Sequence, residues 1–144
     1  MPVAVYFIAG ALFLVAVLVH FLKRLQTGAM KEVLREYPSH THVIISPMAN
    51  MFGLKSKGVK QIRGNGVLVL TSSLLYFRML IPAKKLIIPV SSITGVETPK
   101  SFAGKTKGVK LLKVDFRTAD GKAESAAWLV DRLEDWVSSL NKLI

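Results

Sequence analysis

The stretch GVLVLTSSLLYFRML (66–80) decides the fold. Two strand-forming runs, GVLVLT (66–71) and LLYFRML (74–80), are separated only by Ser72 and Ser73. A two-residue break between such runs predicts a β-hairpin, because a chain that reverses so tightly lays its arms side by side. The same grain continues on both sides. THVIIS (41–46) precedes the hairpin, and KLIIPV (85–90) and SITGVE (92–97) follow it. A long loop, TPKSFAGKTKG (98–108), leads to VKLLKVDFRT (109–118), the longest predicted strand, in which Leu112, Val114 and Phe116 alternate with Lys113, Asp115 and Arg117. Asp120-Gly121 marks a turn, since Gly readily takes positive φ, and ESAAWLV (124–130) is the last strand. After it the period changes to 3.6: Leu133, Trp136, Val137, Leu140 and Leu143 form one apolar stripe, with Asp131 as the expected N-cap and Glu134 three residues on as in a capping box. The expectation is a mainly β domain, α+β by content, of seven antiparallel strands closed by one amphipathic helix.

Ahead of this domain the character is different. Pro2 to Leu22 (PVAVYFIAGALFLVAVLVHFL) carries no charge, and Lys23-Arg24 ends the run. About 20 apolar residues span hydrocarbon as a helix. A cleavable leader would have a basic start and a shorter apolar core, and an interfacial helix would have a polar face; this run has none of these. A transmembrane anchor over residues 1–24 is the expectation. Lys23, Arg24, Lys31 and Arg35 follow the span, so the charge asymmetry places the N-terminus outside and the rest in the cytoplasm, as a single-pass protein of the cell membrane. KRLQTGAMKEVLREYP (23–38) has Leu25, Met30, Val33, Leu34 and Tyr37 at roughly helical spacing; Gly28 weakens it and Pro38 ends it. Residues 25–40 read as a juxtamembrane helix or linker, and 41–144 as the domain.

The chain has 144 residues and no cysteine, which excludes disulfides, thiol nucleophiles and Cys-based metal sites. His40 and His42 flank Thr41 without further ligands nearby in sequence, so they read as edge residues and no metal or other cofactor is expected. No phosphate-binding loop, dinucleotide fingerprint, metalloprotease motif or nucleophile elbow is present, so the reading is non-catalytic. The net charge of +11 is uneven: residues 1–54 carry +2, residues 55–113 carry +11, and residues 114–144 carry −2. Twelve bases against the single acid Glu97 make the middle third a field that calls for an anionic partner. Beside a membrane the nearest anion is lipid. An acidic protein is the alternative partner, which would make the domain an adaptor or scaffold in a membrane complex. Nucleic acid is a weaker reading, because aromatic residues are not interleaved with the basic clusters.

The pieces PMANMF (47–52), GNGVLVLTSSLLYF (64–77), LIIPVSSITGVE (86–97), LKVDFRTADGK (112–122) and WLVDRLEDWVSSL (128–140) together resemble, in this order, the GRAM branch of the pleckstrin-homology-like (PH-like) superfamily. The matched positions are Gly66, Leu68, Leu70, Thr71, Leu75 and Phe77, then Ile88, Pro89, Ile93 and Val96, then Trp136. The resemblance implies a bent, seven-stranded, partly open barrel, with its end plugged by the C-terminal helix and Trp136 packed inside. It also implies binding of phosphoinositides, other anionic lipids or proteins. Lys55, Lys57, Lys60 and Arg63 fall in the connection between the first two strands, at a spacing that departs from the family's usual basic motif and favours a diffuse patch. In an up-and-down sheet alternate connections share an edge. That brings Lys84 and Lys85, and by the same parity Lys100, Lys105 and Lys107, toward the first group, so these nine residues form the candidate lipid- or anion-binding rim. Met51, Phe52 and Leu54, just before it, are expected in the core more than in lipid.

Overall fold

The computed structural model describes residues 2–58, 61 and 63–144. It contains a 35-residue helix α1 (Pro2–Glu36), strands β1 (His42–Leu54), β2 (Gly64–Thr71), β3 (Leu74–Met79), β4 (Lys85–Pro89), β5 (Ile93–Glu97), β6 (Ser101–Phe102), β7 (Lys105–Thr106), β8 (Leu112–Arg117) and β9 (Ala123–Leu129), and a final helix α2 (Leu133–Leu143). Seven strands form one antiparallel sheet in the order β4-β3-β2-β1-β9-β8-β5, and β6 and β7 form a separate small hairpin. The hairpin predicted around Ser72-Ser73 is present, with Leu70 opposite Leu75 and Val67 opposite Arg78. Thr71 Oγ1 accepts the backbone N–H groups of Ser73 (3.3 Å) and Leu74 (3.2 Å) and so closes the turn.

The barrel is not closed. β4 and β5 are free edges with no pairing between them, so the sheet is an open one that curls around its core. The longest strand is β1, not the run at 109–118, of which only Leu112–Arg117 is strand. β1 pairs with β2 along His42–Met51 and with β9 along Asn50–Leu54, with register shifts between Ser46 and Ala49 and between Met51 and Gly53. Extra residues at such shifts bend a strand, which is how one strand serves both halves of the sheet. Gly53 sits at φ +124, and the Gln61 side chain occupies the space where a Cβ would be. Met51 and Phe52 are buried, as expected for core residues, and Leu54 is half-buried.

Inside the curl, Leu68, Leu70, Leu75, Phe77, Ile88, Leu112, Val114, Ala126 and Trp128 meet Trp136 and Leu140 of α2. Trp128 packs edge-on to Phe77, ring centres 5.9 Å apart. The Trp136 indole N–H donates to Ser46 Oγ (2.9 Å), whose hydroxyl donates to Asp131 Oδ1 (2.7 Å). That bond draws Asp131 away from capping. The residue preceding α2 is Arg132, in the left-handed region (φ 50), with no side-chain cap. Its guanidinium donates instead to Ile45 O (2.9 Å).

The outer face is also covered. Val67, Val69 and Tyr76 point away from the core just described and are completely buried, because Ala29 and Val33 of α1 pack on them. Gly28 does not interrupt α1, which continues through the predicted linker to Glu36. On the neighbouring outer surface Phe52 and Ala127 are covered by Phe102 and Leu111, so the 98–108 loop folds down as the β6–β7 hairpin. Gly66 is fixed by close approach: a Cβ there would lie 2.2 Å from the Arg78 carbonyl oxygen. Gly66→Ala must therefore separate β2 from β3, an overpacking cost of about 3 kcal/mol. Thermal unfolding followed by near-UV dichroism should show a melting temperature lower by about 10 °C or more. A change of under 2 °C would mean that the two strands are not held at this distance.

Candidate functional site

Three connections lie at one end of the sheet: the described residues 55–58, 61 and 63 between β1 and β2, residues 80–84 between β3 and β4, and the β6–β7 hairpin. The backbone N–H of Leu80 donates to Asn65 O (2.9 Å), which prolongs the β2–β3 ladder to the start of the second connection, and Gln61 of the first and Lys84 of the second line one cavity. Gln61 organises the first of them: its side-chain oxygen accepts Leu54 N–H (2.8 Å), and its amide donates to Leu54 O (2.6 Å) and Gly58 O (2.8 Å). The hairpin arrives through Lys105, whose ammonium donates to Gln61 O (2.6 Å). Lys105 thus ties the hairpin to the first connection.

The cations gathered there have different surroundings. Lys55 and Lys57 are exposed on a single helical turn, and Lys84 is exposed at the foot of β4. Lys100 and Lys107 are exposed on the flanks of the hairpin. The Arg63 guanidinium lies over the Phe52 ring, 4.2 Å from its centre, so its charge is already engaged in packing. Lys105 is committed to Gln61. Lys60 lies outside the described residues. Glu124, beside the Lys55–Lys57 turn, accepts both the N–H (3.1 Å) and the hydroxyl of Ser56. Burial works against its charge, but the bonds from Ser56 and from Ser125 N–H outweigh this and hold its pKa below the ordinary value.

Lys85 is the clearest departure from a free rim. Its ammonium lies 3.0 Å from Glu32 and 3.4 Å from Glu36, and Arg78 Nε is 3.1 Å from the same Glu32. These two acids belong to α1, so Lys85 and Arg78 clasp the helix to the sheet. The Tyr76 hydroxyl adds a bond to Glu36 (3.1 Å); burial first, then the Glu36 charge, pushes its pKa up to about 12. Tyr37 stacks on Tyr76 with ring centres 4.9 Å apart. The hydrogen bond from Lys85, helped by Arg78, lowers the Glu32 pKa from 4.5, and the same bond raises that of Lys85 from 10.5. The clasp therefore contributes above the unfolded carboxylate value and fades as pH falls through the lowered one. At the other end it is full below 10.5 and fades as pH rises through the raised lysine value. Spin-label distances between α1 and β3 should stay narrow from about pH 5 to 10 and broaden as pH falls through the lowered Glu32 value. Unchanged distances at pH 3 would show that the clasp does not contribute to docking.

Behind the rim a cavity of about 310 Å³ opens between the first two connections. Met51, Phe77, Met79 and Leu86 form its floor and walls, with Gln61 and Lys84 at its lip. Sequence reasoning missed Glu32, Glu36, Arg78 and Gln61. The acids sit four apart on α1, on the same side as Ala29 and Val33, and that spacing was the available signal.

No protein-family model matches the chain, and no curated protein matches it in sequence. Among solved structures it is similar to a chain of the 8S snRNP assembly intermediate, with a TM-score of 0.57 and 12% identity over 74% of this chain and 84% of that one. It is also similar to the C-terminal domain of an unknown protein from Leishmania infantum, with a TM-score of 0.54 and 13% identity over 81% of this chain and 95% of that one. At such identity the likeness concerns the fold alone. The class defined by fold and site is thus an open seven-stranded antiparallel sheet, with a helix in its core and a basic set of connections at one end. It is preceded by one helix long and apolar enough to cross a membrane.

Proposed function

We propose that the chain is a single-pass membrane protein of the GRAM/PH-like kind, with its N-terminus outside. Its cytoplasmic domain is a non-catalytic binding module that engages anionic lipid headgroups of the leaflet to which it is anchored. The observation that carries this reading is the unbroken course of α1. One helix leads from the charge-free run into the dock on β2 and β3, and the exposed cations Lys55, Lys57 and Lys84 lie in the β1–β2 and β3–β4 connections of the same sheet. Each basic residue near an anionic surface is worth about 1 kcal/mol, and the tether makes weak contacts effective.

Flotation of the segment 23–144 with vesicles tests it. The docking turn of α1 is kept because removing it would uncover Val67, Val69 and Tyr76. Vesicles rich in phosphatidylserine should recruit the segment and phosphatidylcholine vesicles should not, with the difference shrinking at high salt. Changing Lys55, Lys57 and Lys84 together to Glu should weaken recruitment by about 100-fold or more, as three contacts of about 1 kcal/mol are lost and reversed. Equal recruitment of the triple variant would show that the rim is not the site. Failure of anionic vesicles to recruit the parent segment at physiological salt would leave the acidic-protein partner as the better reading.

A further inference from the structure

Two contacts fix the direction in which α1 crosses the sheet. Glu32 meets Arg78, and four residues later Glu36 meets Tyr76, two residues back along β3. Four helical residues advance about 6 Å and two strand residues about 7 Å, so α1 runs close to antiparallel to β3. The end of β3 at Met79 therefore points back toward the apolar run of α1, and the turn at Ser72-Ser73 points away from it.

The heights follow from the same spacings. Glu32 is ten residues past Leu22, about 15 Å along the helix. Ile81 lies three residues beyond Arg78 in the returning direction, a reach of up to about 10 Å. Its level is thus at least about 5 Å above Leu22, the last apolar residue of the run. The polar layer on each side of a bilayer is about 5–7 Å deep. A helix tilt of about 20° shortens the axial rise by only about 1 Å but moves a tip about 10 Å to the side of the helix axis by about 3 Å toward or away from the bilayer. At that level the 80–84 connection presents an apolar tip: Ile81 is 55% exposed, although Leu80 beside it packs with the α1 contact cluster. Lys84, in the same connection, makes no ion pair among the described residues, and Lys23 and Arg24 stand exposed on α1 just above the run.

We infer that Ile81 is a membrane-contact residue. The tip of the β3–β4 connection enters the headgroup layer of the leaflet that α1 crosses, with Ile81 and Lys84 at the level of the headgroups. The occupant of this surface is lipid, because the helix that brings the tip to that level is the one expected to pass through the bilayer. The inference rests on α1 spanning the membrane, as proposed above, but it does not require the lipid to be anionic.

The chain has no cysteine, so single labels are readily placed. Ile81→Cys and, at the opposite end of the sheet, Ser72→Cys each carry a nitrobenzoxadiazole fluorophore on the full chain in nanodiscs. Lipids bearing a spin label near the headgroup report contact. With phosphatidylcholine alone, the label at 81 should be blue-shifted and quenched at least three-fold more than the label at 72. Adding phosphatidylserine separates the two readings. Quenching at 81 that is the same in both lipids upholds the membrane contact and counts against anionic selectivity, and quenching that rises with phosphatidylserine supports both. Equal quenching at 81 and 72, or more at 72, overturns the inference even where the chain remains resistant to alkaline extraction. Loss of the chain from the bilayer on alkaline extraction overturns the anchor, and the inference with it.

Discussion

Replacing Trp136 by alanine should lower the melting temperature of the detergent-solubilised chain by about 15 °C or more. The residue is completely buried at the point where α2 enters the curl of the sheet. Removing an indole from such a site costs about 3–5 kcal/mol through lost transfer energy and the cavity left behind. For a domain near 100 residues each kcal/mol moves the midpoint by about 4–8 °C. The open edges sharpen the effect. A closed barrel would hold its shape through strand pairing alone, but here β4 and β5 are not bonded and the gap between the two halves is spanned from inside by α2. Trp136→Phe separates the ring from its hydrogen bond. It keeps most of the apolar volume and loses the N–H to Ser46, while Ser46 keeps Asp131 as its acceptor, so the net hydrogen-bond loss is about 1 kcal/mol. The phenylalanine variant should therefore melt nearer the parent than the alanine variant. A fall of under 3 °C for Trp136→Ala, read by near-UV dichroism, would show that α2 is not the internal brace.

The core of the sheet was legible in the sequence because its determinants are local. The Ser72-Ser73 break, the alternation at 112–117 and the 3.6 period from Leu133 each depend on neighbours a few residues apart. What escaped depends on distant partners. Asp131 has the sequence context of an N-cap, yet Ser46, 85 residues away, takes its carboxylate. Lys85 reads as one more rim cation until Glu32 and Glu36, about 50 residues earlier, are seen beside it. The outer cover of the hairpin was written in the unbroken Val67-Leu68-Val69-Leu70 run. A strand with one wet face alternates, so four apolar residues in succession call for a second covering layer. The partner stripe of Ala29 and Val33 is short, with alanine as half of it, and the strongly apolar segment before it draws attention to the span. For the rim, strand parity carries no information on which cations are already engaged by neighbours. Stacking of Arg63 on Phe52 and capture of Lys105 by Gln61 are events of side-chain packing.

Val33→Asp should detach α1 from the sheet without unfolding the sheet. Val33 is completely buried against Val67, Val69 and Tyr76, and an aspartate there would place a carboxylate with no partner on an apolar floor. Keeping it docked forfeits about 2 kcal/mol of valine burial and adds a polar desolvation cost of at least about 1–3 kcal/mol. Undocking escapes the second of these at once, because the helix can return to water while the strand ladder and the Trp136 core remain intact. A shift of at least about 3 kcal/mol is more than 100-fold in the ratio of docked to free helix. Lys31 and Arg35 flank Val33 on the same turns, and trypsin can cut there only when the helix leaves the sheet and unwinds. Where opening and closing are fast, cleavage follows the population of the open form. Trypsin should therefore cut the variant in this segment on the order of 100-fold faster, while its near-UV dichroism keeps the parent's tryptophan signal. Cleavage within three-fold of the parent would mean that the contact does not hold the helix. If α1 spans the bilayer as proposed, a freed helix no longer sets the height of the 80–84 connection, so quenching of a label at residue 81 should fall toward that at residue 72. Loss of both together would identify the dock, not the tether alone, as the element that orients the domain.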